Sequence, residues 1–199
     1  MLQVKNLFVD LGGFRLTADF EIERGSLISI VGPSGAGKST LLNALAGFIP
    51  LTSGVIKWNG SDITKLDPGL RPLSILFQDY NLFSHLTVKD NIAIGLRPNL
   101  KLDDLETEMV NSVIEEVGLS KFKFIKPFQL SGGQRTRVSL ARSIVRSKPI
   151  LLLDEAFSGL GPALRSEMIK LIKDKSIKEG ITLITVSYTH LTLPTSPKV

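Results

Sequence analysis

Cysteine is absent from the 199 residues, so neither a disulfide nor a thiolate metal site is available, which fits a reducing compartment. Long apolar runs are missing too: none reaches the length a bilayer-spanning helix needs. The chain does not open with a charged stretch, an apolar stretch and a cleavage site, so no export signal is expected. There is no run of five or more basic residues, and the net charge of +5 is mild. We read that charge as a solvated face and expect no nucleic-acid partner. What is present is an ordinary globular balance, 43 % hydrophobic and 22 % charged, in a length that suits one core with an inserted lobe.

Gly32-Pro33-Ser34-Gly35-Ala36-Gly37-Lys38-Ser39-Thr40 matches the P-loop pattern G-x-x-x-x-G-K-[ST]. Ser26 to Val31 before it is apolar and β-branched, the pattern of a buried strand. Leu41 to Phe48 after it is an apolar stretch uninterrupted until Gly47, the pattern of a helix. Strand, glycine loop and helix are the context that gives the motif its chemistry. Gly35 and Gly37 let the backbone curl so that N–H groups point inward at phosphate oxygens. The helix N-terminus adds its partial positive charge. Lys38 is expected to reach the β and γ phosphates, and the Ser39 hydroxyl to sit on Mg²⁺.

The rest of the chain falls into three zones. Leu2-Gln3-Val4 and Phe20-Glu21-Ile22 predict strands of a small antiparallel sheet, with a turn at Gly12-Gly13 and a further strand at Val55–Trp58 between Ser53-Gly54 and Asn59-Gly60. Ile75-Leu76-Phe77 predicts a short strand ending at Gln78. From about Tyr80 to Ser147 the pattern is helical. Leu105, Met109, Val113 and Val117 recur every four residues before Gly118, a C-cap signal, and we expect an inserted helical lobe. Ile150-Leu151-Leu152-Leu153 then reads as a parallel strand covered on both faces. Pro162–Lys175 predicts an amphipathic helix and Ile181–Val186 a last strand.

Two further stretches carry chemistry. The strand from Ile150 delivers two adjacent carboxylates, Asp154 and Glu155, at its C-terminal end, the end that faces the nucleotide in such folds. Asp154 is expected to hold Mg²⁺ through water, and Glu155 to take a proton from an attacking water. Leu130-Ser131-Gly132-Gly133-Gln134 precedes a helix over about 132–145. Ser131 is a natural N-cap, and the N–H groups behind it form a second anion site.

The P-loop, Gln78, Leu130–Gln134 and Ile150–Glu155, in this order, resemble the signature set of the ATP-binding-cassette (ABC) ATPases, over residues 1 to about 185. The resemblance implies an α/β P-loop NTPase fold. Its parts are a RecA-like core, an antiparallel β subdomain and a helical subdomain inserted over about 80–147. It implies ATP hydrolysis with Glu155 and Gln78 as catalytic residues, ATP on Gly32 to Thr40, and Mg²⁺ on Ser39, Gln78 and Asp154. It also implies a head-to-tail dimer in which Ser131, Gly132, Gly133 and Gln134 of a second ATPase subunit close on the γ-phosphate. The helical lobe would dock on transmembrane permease subunits, with a periplasmic binding protein as an indirect partner, on the cytoplasmic face of a bacterial inner membrane. Phe77–Val88, Asn91–Leu102 and Pro162–Met168 are similar to ATP-binding subunits of thiamine importers of Gram-negative bacteria. Importers of iron(III), polyamines and sulfate share much of this region. The one cassette, the short lobe and the lack of cysteine argue against a cassette acting on DNA or the ribosome.

Three places depart from the family pattern. Asp154-Glu155-Ala156-Phe157-Ser158-Gly159-Leu160-Gly161 has Gly161 where the family's D-loop carries aspartate, which bears on communication between the two ATP sites. Leu11 stands near the place of the aromatic that stacks on adenine, with Phe8 and Phe14 as substitutes. The third is the end of the chain. Val186 to Thr195 is the in-frame reading of GTC TCT TAT ACA CAT CTG ACG CTG CCG ACG, which resembles a transposon-derived sequencing adapter. We therefore expect 186–199 to be non-native, the domain to be cut before its switch histidine, His190 not to be that residue, and hydrolysis by this chain to be weak although ATP binds.

Overall fold

Leu151 and Leu153 point to one side of their strand, Ile150 and Leu152 to the other, and each pair is buried in a different core. The architecture follows from that alternation. The structure, a computed structural model, describes residues 1–77, 81–157 and 159–187, the last by its backbone. A four-stranded parallel sheet has the order β3 (Leu27–Val31), β8 (Thr182–Ser187), β7 (Ile150–Asp154), β6 (Leu73–Leu76). A four-stranded antiparallel sheet has the order β2 (Arg15–Ile22), β1 (Leu2–Asp10), β4 (Ser53–Trp58), β5 (Ser61–Asp62).

One core lies between the two sheets. It joins Leu2, Val4, Leu7 and Ile56 of the antiparallel sheet to Leu41, Leu42 and Leu45 of α1 (Lys38–Ala46) and to Ile150, Leu152, Ile184 and Val186 of the parallel sheet. The other core covers the opposite face. Leu76, Leu151, Leu153 and Leu183 meet α2 (Val88–Ala93), α3 (Asp104–Glu116), α4 (Gly132–Ile144) and α5 (Pro162–Glu179) there. The helical insertion between β6 and β7 therefore shares its core with the sheet.

The first anchor of this arrangement is polar. Arg71, only 3 % exposed, donates to the carbonyl oxygens of Ala44, Leu45, Thr64 and Leu66. A cation at the end of α1 satisfies carbonyls that the helix leaves open, and burial pulls the Arg71 pKa below its ordinary value. Gly47 (φ 87°) ends the helix in the left-handed region. A Cβ there would lie 2.6 Å from the Arg71 Nε, so glycine is also what lets the guanidinium approach.

Most elements lie where the sequence pattern puts them, and two differ in detail. The helical zone begins its first helix at Val88, and α5 runs on to Glu179. On α3 the buried residues are Val110, Val113 and Ile114, with Val117 just beyond, whereas Leu105 (73 % exposed) and Met109 (40 %) face solvent. A step of four residues overshoots a helical turn by about 40°, so a four-residue stripe rotates off the buried face within three steps. Gly118 (φ 69°) does end the helix region, and Leu11–Phe14 does turn the β1–β2 hairpin. β8 takes in Val186 and Ser187, the first two residues of the segment expected to be foreign; His190 and the rest of the tail lie outside the described residues.

Candidate functional site

Parallel strands carry their C-terminal ends to one edge, and that edge gathers the residues singled out in the sequence. β3 ends at Val31 and opens into the loop from Gly32; β7 ends at Asp154, with β8 between the two strands. The loop returns into α1 through Gly35 (φ 78°) and Gly37 (φ 87°), both left-handed, where glycine adds no Cβ clash. Gly37 is the N-cap of α1 and has no side chain to cap with, so the first turn presents its N–H groups to the loop. Lys38 is 8 % exposed, and its ammonium donates to the carbonyl oxygens of Gly32 and Pro33, each at 2.8 Å. Pro33, Ser34, Gly35 and Ala36 are exposed around it, so the cradle opens to solvent.

The contact that joins the two motifs is a hydrogen bond from the Ser39 hydroxyl to Asp154 Oδ1, at 2.9 Å across 115 residues of chain. A hydroxyl and a carboxylate at hydrogen-bond distance, beside a loop of phosphate-directed N–H groups, form a set of hard oxygen donors. That donor set fits a small divalent cation.

Glu155 follows Asp154 in the left-handed region (φ 48°), a conformation a side chain other than glycine adopts at a cost of about 1–3 kcal/mol. The turn takes its side chain off the strand direction, and Glu155 stays part-exposed. What holds it is the segment behind. Ala156, Phe157 and Leu160 are buried in the helical-side core, Leu160 N–H donates to Phe157 O (3.2 Å), and Arg165 Nε donates to the same carbonyl (3.1 Å). Gly161 is the N-cap of α5, in an extended conformation with nothing within 4 Å of where a Cβ would stand.

Ser131 is the N-cap of α4, as its residue type predicts, and it closes a capping box. Its Oγ accepts from Gln134 N–H (3.3 Å), and Gln134 Oε1 accepts from Ser131 N–H (2.8 Å). Gly132 has open space where a side chain would go, whereas a Cβ on Gly133 would lie 2.3 Å from Leu164 Cδ2. One glycine faces outward and the other lets α4 close on α5. The side chains of Ser131 and Gln134 are thus bonded to their own helix end, and the P-loop site of this chain is built by Lys38, Ser39 and Asp154. Gln78 lies outside the described residues.

Of the three candidates for the adenine-stacking position, Phe14 stands at the loop: a Cβ on Gly37 would lie 2.5 Å from Phe14 Cζ. Leu11 is exposed and Phe8 lies within β1. Two residues that sequence reasoning passed over hold the chain just after Gln78. Asn91 is fully buried. It accepts from Phe83 N–H (2.8 Å) and donates to the carbonyls of Phe83, Leu86 and Thr87. Arg142 of α4 donates to Asn81 O (2.8 Å) and lies 6.0 Å from the Phe83 ring; burial holds its pKa below the ordinary value. An asparagine inside the run Val88–Ala93 was a visible signal for the first; nothing in the spacing marks the second.

The P-loop, the adjoining carboxylate and the two-sheet core define an ATP-binding cassette, and the chain belongs to that family: the ABC transporter family model matches residues 17–158. Members of this family are ATPases that bind ATP, and this chain is one of them. It is 47 % identical over 188 residues to the thiamine import ATP-binding protein ThiQ of a Ruegeria species, covering 94 % of this chain and 81 % of the relative. The protein of the same name from Histophilus somni is 50 % identical over 188 residues, with 94 % and 87 % covered. Among solved structures, the ADP conformation of an ATP-binding cassette of an ABC transporter superimposes with a TM-score of 0.84 at 25 % identity, covering 94 % of this chain and 80 % of that one. Among the described residues no helix is long and apolar enough to cross a membrane.

Proposed function

We propose that this chain is the ATP-hydrolysing subunit of a bacterial importer, with thiamine or its phosphates as cargo. The observation that carries the catalytic part is the Ser39–Asp154 hydrogen bond, which brings the P-loop and the carboxylate strand into one site. In this reading the loop from Gly32 to Thr40 holds the phosphates, and Lys38 exchanges its two loop carbonyls for phosphate oxygens. Ser39 and Asp154 would hold Mg²⁺, which neutralises phosphate charge when bound. Glu155 accepts the proton of the attacking water. Gln78 is assigned to orient that water. Ser131, Gly132, Gly133 and Gln134 of a second copy cover the γ-phosphate, and the helical side meets permease subunits at the inner face of the membrane.

The cargo assignment is supported by the names of the relatives at 45–50 % identity, and it is of a different kind from the catalytic one, because cargo contacts belong to the permease and the binding protein. Its test is reconstitution with a thiamine-importer permease: thiamine with its binding protein raises ATP turnover, and iron(III), putrescine or sulfate does not. Stimulation by one of the latter instead reassigns the cargo. The catalytic assignment is tested by Glu155→Gln. Turnover falls by about a hundredfold or more while ATP binding is retained; unchanged turnover removes Glu155 from the role.

A further inference from the structure

Between α3 and α4 the chain reads Lys121-Phe122-Lys123-Phe124-Ile125-Lys126-Pro127-Phe128, and its aromatic residues go to opposite destinations. Phe122 and Ile125 pack against the helical-side core and Pro127 is buried. Phe124 is 74 % exposed and Phe128 is 71 % exposed. This is not slack backbone. Two short 3-10 turns, Ser120–Phe122 and Pro127–Gln129, bracket the segment. Val88 N–H donates to Ile125 O and Lys89 N–H to Lys123 O, both at 2.9 Å, which fixes it to the first turn of α2. The outward aromatics are therefore held in place by inward ones, and neither packs into the core of the chain.

The charged residues of the segment itself are all lysines. Lys121 and Lys126 are exposed, and the Lys123 ammonium lies 5.4 Å from the Phe124 ring centroid. No aspartate or glutamate occurs between Glu116 and Asp154. The first turn of α2, to which the segment is bonded, carries Lys89 and one acid, Asp90, which accepts the Thr87 hydroxyl at 2.6 Å. Exposed aromatic rings with lysines alternating between them suit the boundary of an anionic bilayer. There the rings enter the headgroup region, and the long lysine stems keep their ammonium groups at the phosphates.

We propose that residues 121–128 form a seat for an anionic lipid surface, with Phe124 and Phe128 as the inserting side chains and Lys121, Lys123 and Lys126 as the headgroup contacts. The proposal rests on the reading that the chain works beside a membrane, and its charge complementarity favours lipid over a protein groove. The test is co-sedimentation of the purified chain with vesicles of phosphatidylglycerol and phosphatidylethanolamine, against phosphatidylcholine vesicles, with no permease present. We expect at least tenfold more binding to the anionic vesicles, lost on raising salt well above physiological strength, where the Debye length drops below about 8 Å. Phe124→Ser with Phe128→Ser, and separately Lys121→Gln with Lys123→Gln and Lys126→Gln, each lower that binding at least tenfold and leave ATP binding and the thermal midpoint unchanged. Absent binding, equal binding to both vesicle types, or binding that the variants do not alter overturns the proposal. So does capture by permease-containing membranes alone, which would assign the patch to a protein partner and leave the transporter reading standing.

Discussion

Gly37 and Gly161 are both glycines at helix N-caps, and they answer opposite physical demands. At Gly37 the backbone is left-handed, and a Cβ would run into the Phe14 ring. Gly37→Ala is expected to cost about 1–3 kcal/mol, read as a lower midpoint in chemical denaturation, and to weaken ATP binding by displacing the loop. At Gly161 the backbone is extended and the space is open, so nothing local requires glycine. Gly161→Asp places a capping carboxylate at the start of α5 and is expected to stabilise the chain by a few tenths of a kcal/mol. A fall in the midpoint would show that the D-loop position is constrained by contacts other than those described. The glycine at 161 is thus compatible with the fold and leaves α5 without a side-chain cap.

Elements are tied together by a small number of buried polar residues. Asn91 joins α2 to the segment Phe83–Thr87 through one accepted and three donated hydrogen bonds. Asn91→Leu removes every one of them at a fully buried position and is expected to cost about 3 kcal/mol in unfolding free energy. α3 is tied to α5 by Lys175, whose ammonium meets Glu116 Oε2 at 2.9 Å and Glu179 Oε1 at 2.8 Å. Burial works to lower the Lys175 pKa, but the hydrogen bonds to Glu179 and Glu116 outweigh it and raise the value. A raised lysine pKa means that its stabilisation is complete below the unfolded-state value and is lost as pH climbs through the folded one. The latch is therefore intact at neutral pH and fades only as the pH climbs past the ordinary lysine range. Lys175→Met is expected to cost about 1 kcal/mol at pH 7 and to reduce the alkaline loss of stability, measured by urea unfolding across pH. These ties were the least legible part of the chain. Strand and helix positions show in apolar spacing, and the meeting of Ser39 with Asp154 follows from two strand ends in one parallel sheet. The partners of Asn91 and Arg142 are carbonyls of an irregular loop, and no periodicity encodes where such a loop runs. Leu105 and Met109 mislead for a geometric reason, since a four-residue interval drifts around a helix of 3.6 residues per turn.

The described residues form two sheets and a set of helices around two cores, with the parallel sheet as the shared wall. Both faces of that sheet are packed, and its C-terminal edge carries the two distant motifs. Lys38 and Ser39 come from the start of α1 and Asp154 from the end of β7; Ser39 bonds Asp154 across the gap, while Lys38 bonds the loop carbonyls of Gly32 and Pro33. The helix end at Ser131–Gln134 closes a capping box on itself, and its side-chain bonds go to its own backbone.

We propose that the ATP phosphates bind at this edge with the Lys38 ammonium as their charge partner. Isothermal titration of the purified chain with ATP and Mg²⁺, beside Lys38→Ala, tests it most directly. One ATP is expected to bind per chain, with an affinity loss of at least tenfold in the variant and little change in the thermal midpoint of the unliganded protein. Undetectable binding by the parent chain, or equal binding by Lys38→Ala, would contradict it.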